Sequence, residues 1–491
     1  MGMFVNPDNS AFQVALNSEI YIDKSGLINY TNKVLNTLQG YICNSRPRRF
    51  GKSVTANMLT AYYSRGCNSK ELFGKFEIAK DKDFEKYLNQ YNTIFLNMQE
   101  FLSRSHNVEE LIDRVKKLVI RDLKMEYPEV DYFDDTDLIE CMQDIYAQMQ
   151  YPFVVIIDEW DCIFREYKQD KEAQEKYLDF LRDLLKDKAC IYLSYMTGIL
   201  PIKKYGTHSA LNMFDEFSMI APGPLACYVG FTEQEVKKLC EQYGMDMEEV
   251  KNWYDGYSFD GVLSVYSPRS VVNSMRFRKI SNYWNQTETF EALQMYIDMN
   301  FEHLKDDVLS MIAGESVAVN TESFTNDMAT FRTEDDVLTL LIHLGYLAYD
   351  DKTKTVKIPN SEIRAEYVNT VSVSDWGSVL KAVKDSADKL TEARIKNAKA
   401  LEAGIENELH DLNFSDAKLK ISFEKIALIT ASGHDKIEIL ISTNKGEPMK
   451  PLSKIASGGE ISRIMLAFKN VVGSYSKIPT MIFDEIDSGI S

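Results

Sequence analysis

The tripeptide Gly51-Lys52-Ser53 sits between a short apolar run, Tyr41-Ile42-Cys43, and an amphipathic segment that begins at Val54. A chain that leaves a strand, turns, and reopens as a helix presents unpaired backbone N–H groups at the helix start. Such a strand needs parallel neighbours, and parallel neighbours need crossover helices, so this one feature already favours an α/β class. The surrounding pattern agrees. Thr93 to Leu96, Phe153 to Ile157 and Ile191 to Tyr195 are further short apolar runs. Between them Val54 to Tyr63, Val108 to Lys124, Asp137 to Met149 and Lys171 to Lys186 space their apolar residues by three and four, as helices do.

Backbone N–H groups at a helix start, a lysine and a hydroxyl are the means by which proteins hold phosphates and their magnesium. Gly51, Lys52 and Ser53 supply all three, which makes this segment a P-loop candidate. The full pattern places a glycine five residues before Gly51; here Arg46 stands there, followed by Pro47, Arg48, Arg49 and Phe50. The expectation is a stiff, basic cradle in which Arg48 and Arg49 contribute to phosphate binding.

The matching second component is Phe153-Val-Val-Ile-Ile-Asp158-Glu159, an apolar strand ending in two carboxylates. Asp158 is expected to hold magnesium together with Ser53, and Glu159 to orient or deprotonate water. Taken alone, either piece fits a plain loop or a strand capped by solvated acids. In this order and spacing the pair predicts a site for ATP with Mg2+. Tyr195-Met-Thr197-Gly198 ends another apolar strand, where the Thr197 hydroxyl either senses the terminal phosphate or merely closes a turn. Lys203, Lys204 and His208 follow in a loop that either faces the phosphates or is solvated.

Downstream the pattern becomes mostly helical from about Phe231. It contains a capping box at Thr232-Glu-Gln-Glu, an aromatic turn at Trp253-Tyr-Asp-Gly-Tyr, and a helix, strand, turn, strand reading over Val337 to Ile358. This reads as a helical and winged-helix-like lid.

Tyr21-Ile-Asp-Lys24, Ser45-Arg-Pro-Arg-Arg-Phe-Gly-Lys-Ser53, Ile156-Ile-Asp-Glu-Trp-Asp161, Tyr254-Asp-Gly-Tyr257 and Leu341-Ile-His-Leu-Gly-Tyr346 together resemble the predicted AAA-ATPase-like family of bacteria. The resemblance covers roughly residues 1 to 371. It implies an ATP-binding core with a lid, and makes the arginine-rich loop the family's own variant. Members often continue into a PD-(D/E)xK-type nuclease. After the connector Asp375 to Lys384 this chain changes character instead.

Residues 388 to 491 carry 14 basic and 15 acidic side chains in a protein whose formal charge is −18, so nearly all the excess acid lies upstream. A charged helix with little apolar face spans Leu390 to Leu412. Lys418 to Glu424 and Lys436 to Ser442 alternate as strands, and Thr480 to Phe483 is a buried-type run. Leu452 to Ala467, which contains Ser457-Gly458-Gly459-Glu460, and Asp484-Glu485-Ile-Asp-Ser-Gly-Ile-Ser491 are similar to the C-terminal head of the RecN family of DNA-repair ATPases. That resemblance implies phosphate contacts from Ser457, Gly458 and Gly459, a magnesium ligand at Asp484 and a catalytic base at Glu485. The part of such a head that holds its own P-loop is expected to be missing. The segment is thus read as an incomplete ABC-ATPase head fragment that works only against a partner RecN-type head, or as an inert fusion.

The expected organisation is therefore residues 1–220 as ATPase core, 221–371 as lid, 372–387 as connector and 388–491 as head fragment. Hydrophobic content of 45% with 26% charged residues is that of an ordinary globular protein, and no run of 18 apolar residues points to a membrane. Cytoplasmic location is expected, with seven reduced cysteines. The acidic balance speaks against gathering nucleic acid by bulk charge, leaving DNA an indirect partner at most.

Overall fold

The computed structural model describes residues 2–202, 211–259, 262–284, 289–299, 301, 303–325, 331–373, 377–430, 433–444, 446–454 and 458–475. The chain divides into two compact units, one formed by Met1–Met311 with Glu315–Tyr367 and the other by Ile312–Gly314 with Val368–Ser491.

The first unit is built on five parallel strands: β1 (Tyr41–Ser45), β2 (Asn92–Asn97), β3 (Phe153–Asp158), β4 (Ile191–Gly198) and β5 (Asp215–Phe217), in the spatial order β2-β3-β4-β1-β5. Every residue of β3 is buried. A parallel strand covered on both faces reads as an unbroken apolar run, which is why Phe153-Val-Val-Ile-Ile announced itself in the sequence. Burying each such side chain stabilises the core by about 1.5–3 kcal/mol.

Helices cover the sheet. Lys52–Tyr63 follows β1 directly, and its start is fixed by Gly51 at φ +93°, a left-handed conformation that only glycine adopts without strain. Val108–Glu126 is capped by Asn107, which accepts from the Glu110 N–H. Leu138–Met149 is capped by Asp137, which accepts from Ile139 and Glu140, and Lys171–Leu185 by Asp170. The expected capping box is present: Thr232 and Glu235 satisfy each other's backbone donors at the start of the helix Glu233–Tyr243. The helix, strand, turn, strand segment appears as Glu334–Leu344, Ala348–Asp350 and Thr355–Lys357. The two strands form a three-stranded antiparallel sheet with Val317–Ala318.

The second unit contains a 35-residue helix, Gly377–Asp411, a long antiparallel hairpin of Lys418–Thr430 with Gly433–Ser442, and the helix Gly458–Tyr475. Its core gathers Ile405, Leu409, Phe414, Leu419, Ile441 and Ile464. The long helix therefore has an apolar stripe, with Leu401 packed against the core beside Ile405 and Leu409, where the sequence suggested almost none. Charged neighbours concealed it. The apolar run at Thr480 to Phe483 lies outside the described residues.

Among the described residues no helix is long and apolar enough to cross a membrane. The seven cysteines are all free, five of them buried.

Candidate functional site

The strand order sets the site. β4 lies between β1 and β3, and register pairs Thr197 with Asn44 on one side and with Asp158 on the other. The carboxyl ends of the three strands thus form one row, where ligands of open α/β sheets bind.

The helix start after β1 contributes Gly51, Lys52 and Ser53. Lys52 is buried, and its Nζ donates to the Pro47 carbonyl at 2.9 Å. Burial lowers its pKa, while the charges of Glu159, Asp161 and Asp158 oppose that shift. Ser53 is exposed and lines the cleft described below.

The end of β3 contributes Asp158 and Glu159. Asp158 is 1% exposed; Oδ1 accepts the Glu159 N–H at 3.1 Å and Oδ2 has no hydrogen-bond partner. Burial pushes this carboxyl above its usual range, with the Ser53 hydroxyl and Lys52 pulling the other way. A buried carboxylate oxygen without a donor is costly unless a cation completes it. Asp158 and Ser53 are thus the oxygen donors on offer to a divalent ion. Among the described residues no cluster of three His, Cys, Asp or Glu side chains forms a metal site by itself. Thr197, at the end of β4, is fully buried and its hydroxyl likewise lacks a partner.

Glu159 has a left-handed backbone, φ +55°. Its Oε2 is ion-paired with Nη2 of Arg165, and Arg165 Nε stands 3.4 Å from Asp161 Oδ2. Asp161 is anchored by the backbone N–H groups of Ile199 at 3.0 Å and Leu200 at 2.8 Å. Gly198 lies against this knot: a Cβ there would stand 2.7 Å from both Asp161 and Trp160.

The three loop arginines diverge. Arg46, at the position of the missing glycine, is entirely buried; its Nη1 donates to Ser45 and Phe217 carbonyls at 2.8 and 3.1 Å, and its guanidinium lies 5.3 Å from the Phe259 ring centre. Burial lowers its pKa to about 10. Arg49 donates to the carbonyls of Tyr283 and Trp284. Arg48 is exposed. The stiff basic cradle read from the sequence is therefore one internal strut, one tether to the 283–284 loop and one exposed cation.

All of this opens on a cleft of about 1240 Å3 bounded by Arg48, Arg49, Gly51, Lys52, Ser53, Glu159 and Arg165 on the sheet side. Apolar side chains of the N-terminal segment, Val14, Ile20 and Ile22, and of the lid, Phe231 and Val272, form the rest of the wall together with Arg269. Sequence reading missed Arg165 and this apolar wall. Thr197 and Asp158 do not line the cleft surface; they stand behind it.

Lys203, Lys204 and His208 lie outside the described residues, as do Ser457, Asp484 and Glu485. Gly458 and Gly459 open the helix Gly458–Tyr475 of the second unit.

Comparison with known proteins gives two separate likenesses. Residues 11–207 match the model of a family described as a predicted AAA-ATPase. The DNA repair protein RecN of Vibrio cholerae is 39% identical over 107 residues, which are 22% of this chain and 19% of that protein. RecN of Rickettsia prowazekii is 26% identical over 282 residues, 54% of this chain and 49% of that protein. The chain thus spans about a fifth of the first relative's length, and about half of the second's. Among solved structures, a Walker-type ATPase of Pyrococcus abyssi is 14% identical over 70% of this chain and 94% of its own, with a TM-score of 0.36.

Proposed function

We propose that the first unit binds ATP with magnesium and hydrolyses it slowly, as a switch. The observation that carries this reading is the convergence of Gly51, Lys52 and Ser53 with Asp158 and Glu159 across a single intervening strand, beside one large cleft. The match of residues 11–207 to a predicted AAA-ATPase supports it.

In this reading the N–H groups at the start of Lys52–Tyr63 receive phosphate oxygens, helped by the helix dipole. Lys52 gives up its bond to the Pro47 carbonyl and neutralises charge on the terminal phosphates. Ser53 and Asp158 would hold a magnesium ion, which would supply charge neutralisation at the phosphates. Glu159 accepts a proton from the attacking water. Thr197, its hydroxyl unpartnered between the two halves, hydrogen-bonds whatever occupies the row of strand ends. The apolar wall of Val14, Ile20, Ile22 and Phe231 suits the flat, largely apolar face of a nucleobase.

Turnover by Glu159→Gln tests this. The substitution keeps size and removes the base, so MgATP binding should persist while hydrolysis falls by about 10²–10⁴-fold. Unchanged hydrolysis would remove Glu159 from the chemistry.

A second reading rests on the partial likeness to RecN. In it the residues from about 388 onward form a head fragment that docks on a RecN-type head, with Ser457, Gly458, Gly459, Asp484 and Glu485 acting only against that partner. The chain would then be an accessory of DNA repair or recombination, and turnover would depend on the added head. Hydrolysis by the purified chain alone, unaffected by such a head, favours the switch and leaves the fragment inert.

A further inference from the structure

We propose that Arg46 binds a small oxyanion, of the size of phosphate or sulfate, on the edge of its guanidinium formed by Nε and Nη2, at the seam between the core sheet and the lid. The site is separate from the cleft, which Arg46 does not line, and the inference goes beyond the reading of that cleft as an ATP site.

Arg46 follows β1 directly and is entirely buried. Its Nη1 is spent on the Ser45 and Phe217 carbonyls, and the Phe259 ring lies 5.3 Å from the guanidinium carbon. Nε and Nη2 have no hydrogen-bond partner. These two nitrogens present their N–H groups along one edge, in the fork that matches two oxygens of a carboxylate, phosphate or sulfate. Elsewhere in this protein the same edge does grip an acid: Arg121 gives Nε and Nη2 to Asp122 Oδ1 at 3.2 and 2.9 Å, and Arg182 gives both to Asp183 Oδ1 at 3.2 Å. Among the described residues no carboxylate does this for Arg46; burial lowers its pKa, and what opposes the shift is the Tyr195 phenol. A buried guanidinium with an unpaired fork is costly, and an anion on that fork offsets the cost.

A second buried group lies within reach of the same charge. His343, in the helix Glu334–Leu344, stacks on Phe324 with ring centres 6.1 Å apart. Burial first, and then the Arg46 charge, hold its pKa down to about 3, so the ring is neutral. Its Nδ1 has no partner. A neutral imidazole that carries its proton on Nδ1 donates it to an anion. Thr339, one helical turn earlier on the same face, is also buried with an unpartnered hydroxyl. Donors without acceptors thus come to one seam from both sides, Arg46 from the core and His343 from the lid. Because the Arg46 N–H donates to the Gly198 carbonyl at 3.0 Å, a bound oxyanion would fasten the ends of β1 and β4 to the lid.

The test is equilibrium dialysis of radiolabelled inorganic phosphate against the full chain carrying Lys52→Ala, which removes the lysine of the proposed ATP site, with chloride holding ionic strength constant. Saturable binding of a single phosphate per chain, competed by sulfate, is expected in that background. Adding Arg46→Lys keeps the charge and loses the fork, and should weaken binding by at least about tenfold. Adding His343→Phe keeps a buried ring and removes the Nδ1 donor, and should weaken it by about five- to tenfold. Should Arg46→Lys fail to fold, His343→Phe decides. Unchanged affinity in the added variants that fold overturns the proposal and moves the phosphate to the cleft or the surface. Absence of saturable phosphate or sulfate binding by Lys52→Ala overturns it too. Neither result touches the ATP site, which stands or falls on MgATP binding by the unaltered chain.

Discussion

Arg49 donates its Nη1 to the carbonyl oxygen of Tyr283 at 2.8 Å, which ties the loop before the helix Lys52–Tyr63 to the segment before the second half of the lid. Glu362 holds the same segment from the other side, accepting the N–H groups of Tyr283 at 2.7 Å and Trp284 at 3.0 Å and the Ser270 hydroxyl at 2.8 Å. Loop and lid are thus joined through one short stretch of backbone, gripped by a cation and a carboxyl.

That carboxyl makes the grip depend on pH. Burial pushes Glu362 up to about 7, although its hydrogen bonds and Arg49 favour the charged form. A carboxyl whose folded pKa exceeds its unfolded value near 4.5 stabilises the fold fully below pH 4.5, and loses that contribution as pH rises through 7. The full swing is about 3 kcal/mol. Thermal unfolding of the unaltered chain and of Glu362→Gln, compared at pH 5 and pH 7.5, should show a smaller loss with rising pH in the variant. Identical losses would remove Glu362 as the titrating group.

Gly198 is a tight joint behind the site, since a methyl group there meets both Asp161 and Trp160 at 2.7 Å. Gly198→Ala should cost about 1–3 kcal/mol of stability, because neither neighbour can move without disturbing the anchor of Arg165. Chemical denaturation gives this directly; a variant as stable as the parent would mean that the knot yields easily.

The boundary near residue 388 gives a third prediction. The long helix Gly377–Asp411 runs straight through it, yet Lys52, Ser53, Asp158 and Glu159 all lie in the first compact unit. Residues 1–387 by themselves should fold and bind MgATP within about twofold of the full chain. A large loss of affinity on shortening would point instead to a composite site that uses the C-terminal residues.

How much of this was legible in the sequence depended on how local each cause was. β3 declared itself because a strand buried on both faces needs an unbroken apolar run, and the helix at Glu233–Tyr243 because its capping box is a contact between residues three apart. β5 escaped notice: Asp215-Glu-Phe217 has three residues, two of them acidic, and gains its place only by pairing with β1. The apolar stripe of the long helix was hidden among charges, and only the facing strands reveal it. At the site, Gly51, Lys52, Ser53, Asp158 and Glu159 were legible as motif residues. What holds them was not. Arg165 pairs with Glu159 at a left-handed turn, and Arg49 with a loop more than two hundred residues away; no spacing rule carries either.

The most direct measurement is a titration of MgATP into the full chain and into Lys52→Ala, at equal salt and pH. The account predicts saturable binding by the unaltered chain and a loss of at least about 100-fold in the variant, equivalent to about 2.7 kcal/mol, because the one buried cation of the helix start is gone. Equal affinity in the two chains would contradict it, and would move the nucleotide, if there is one, away from Gly51-Lys52-Ser53.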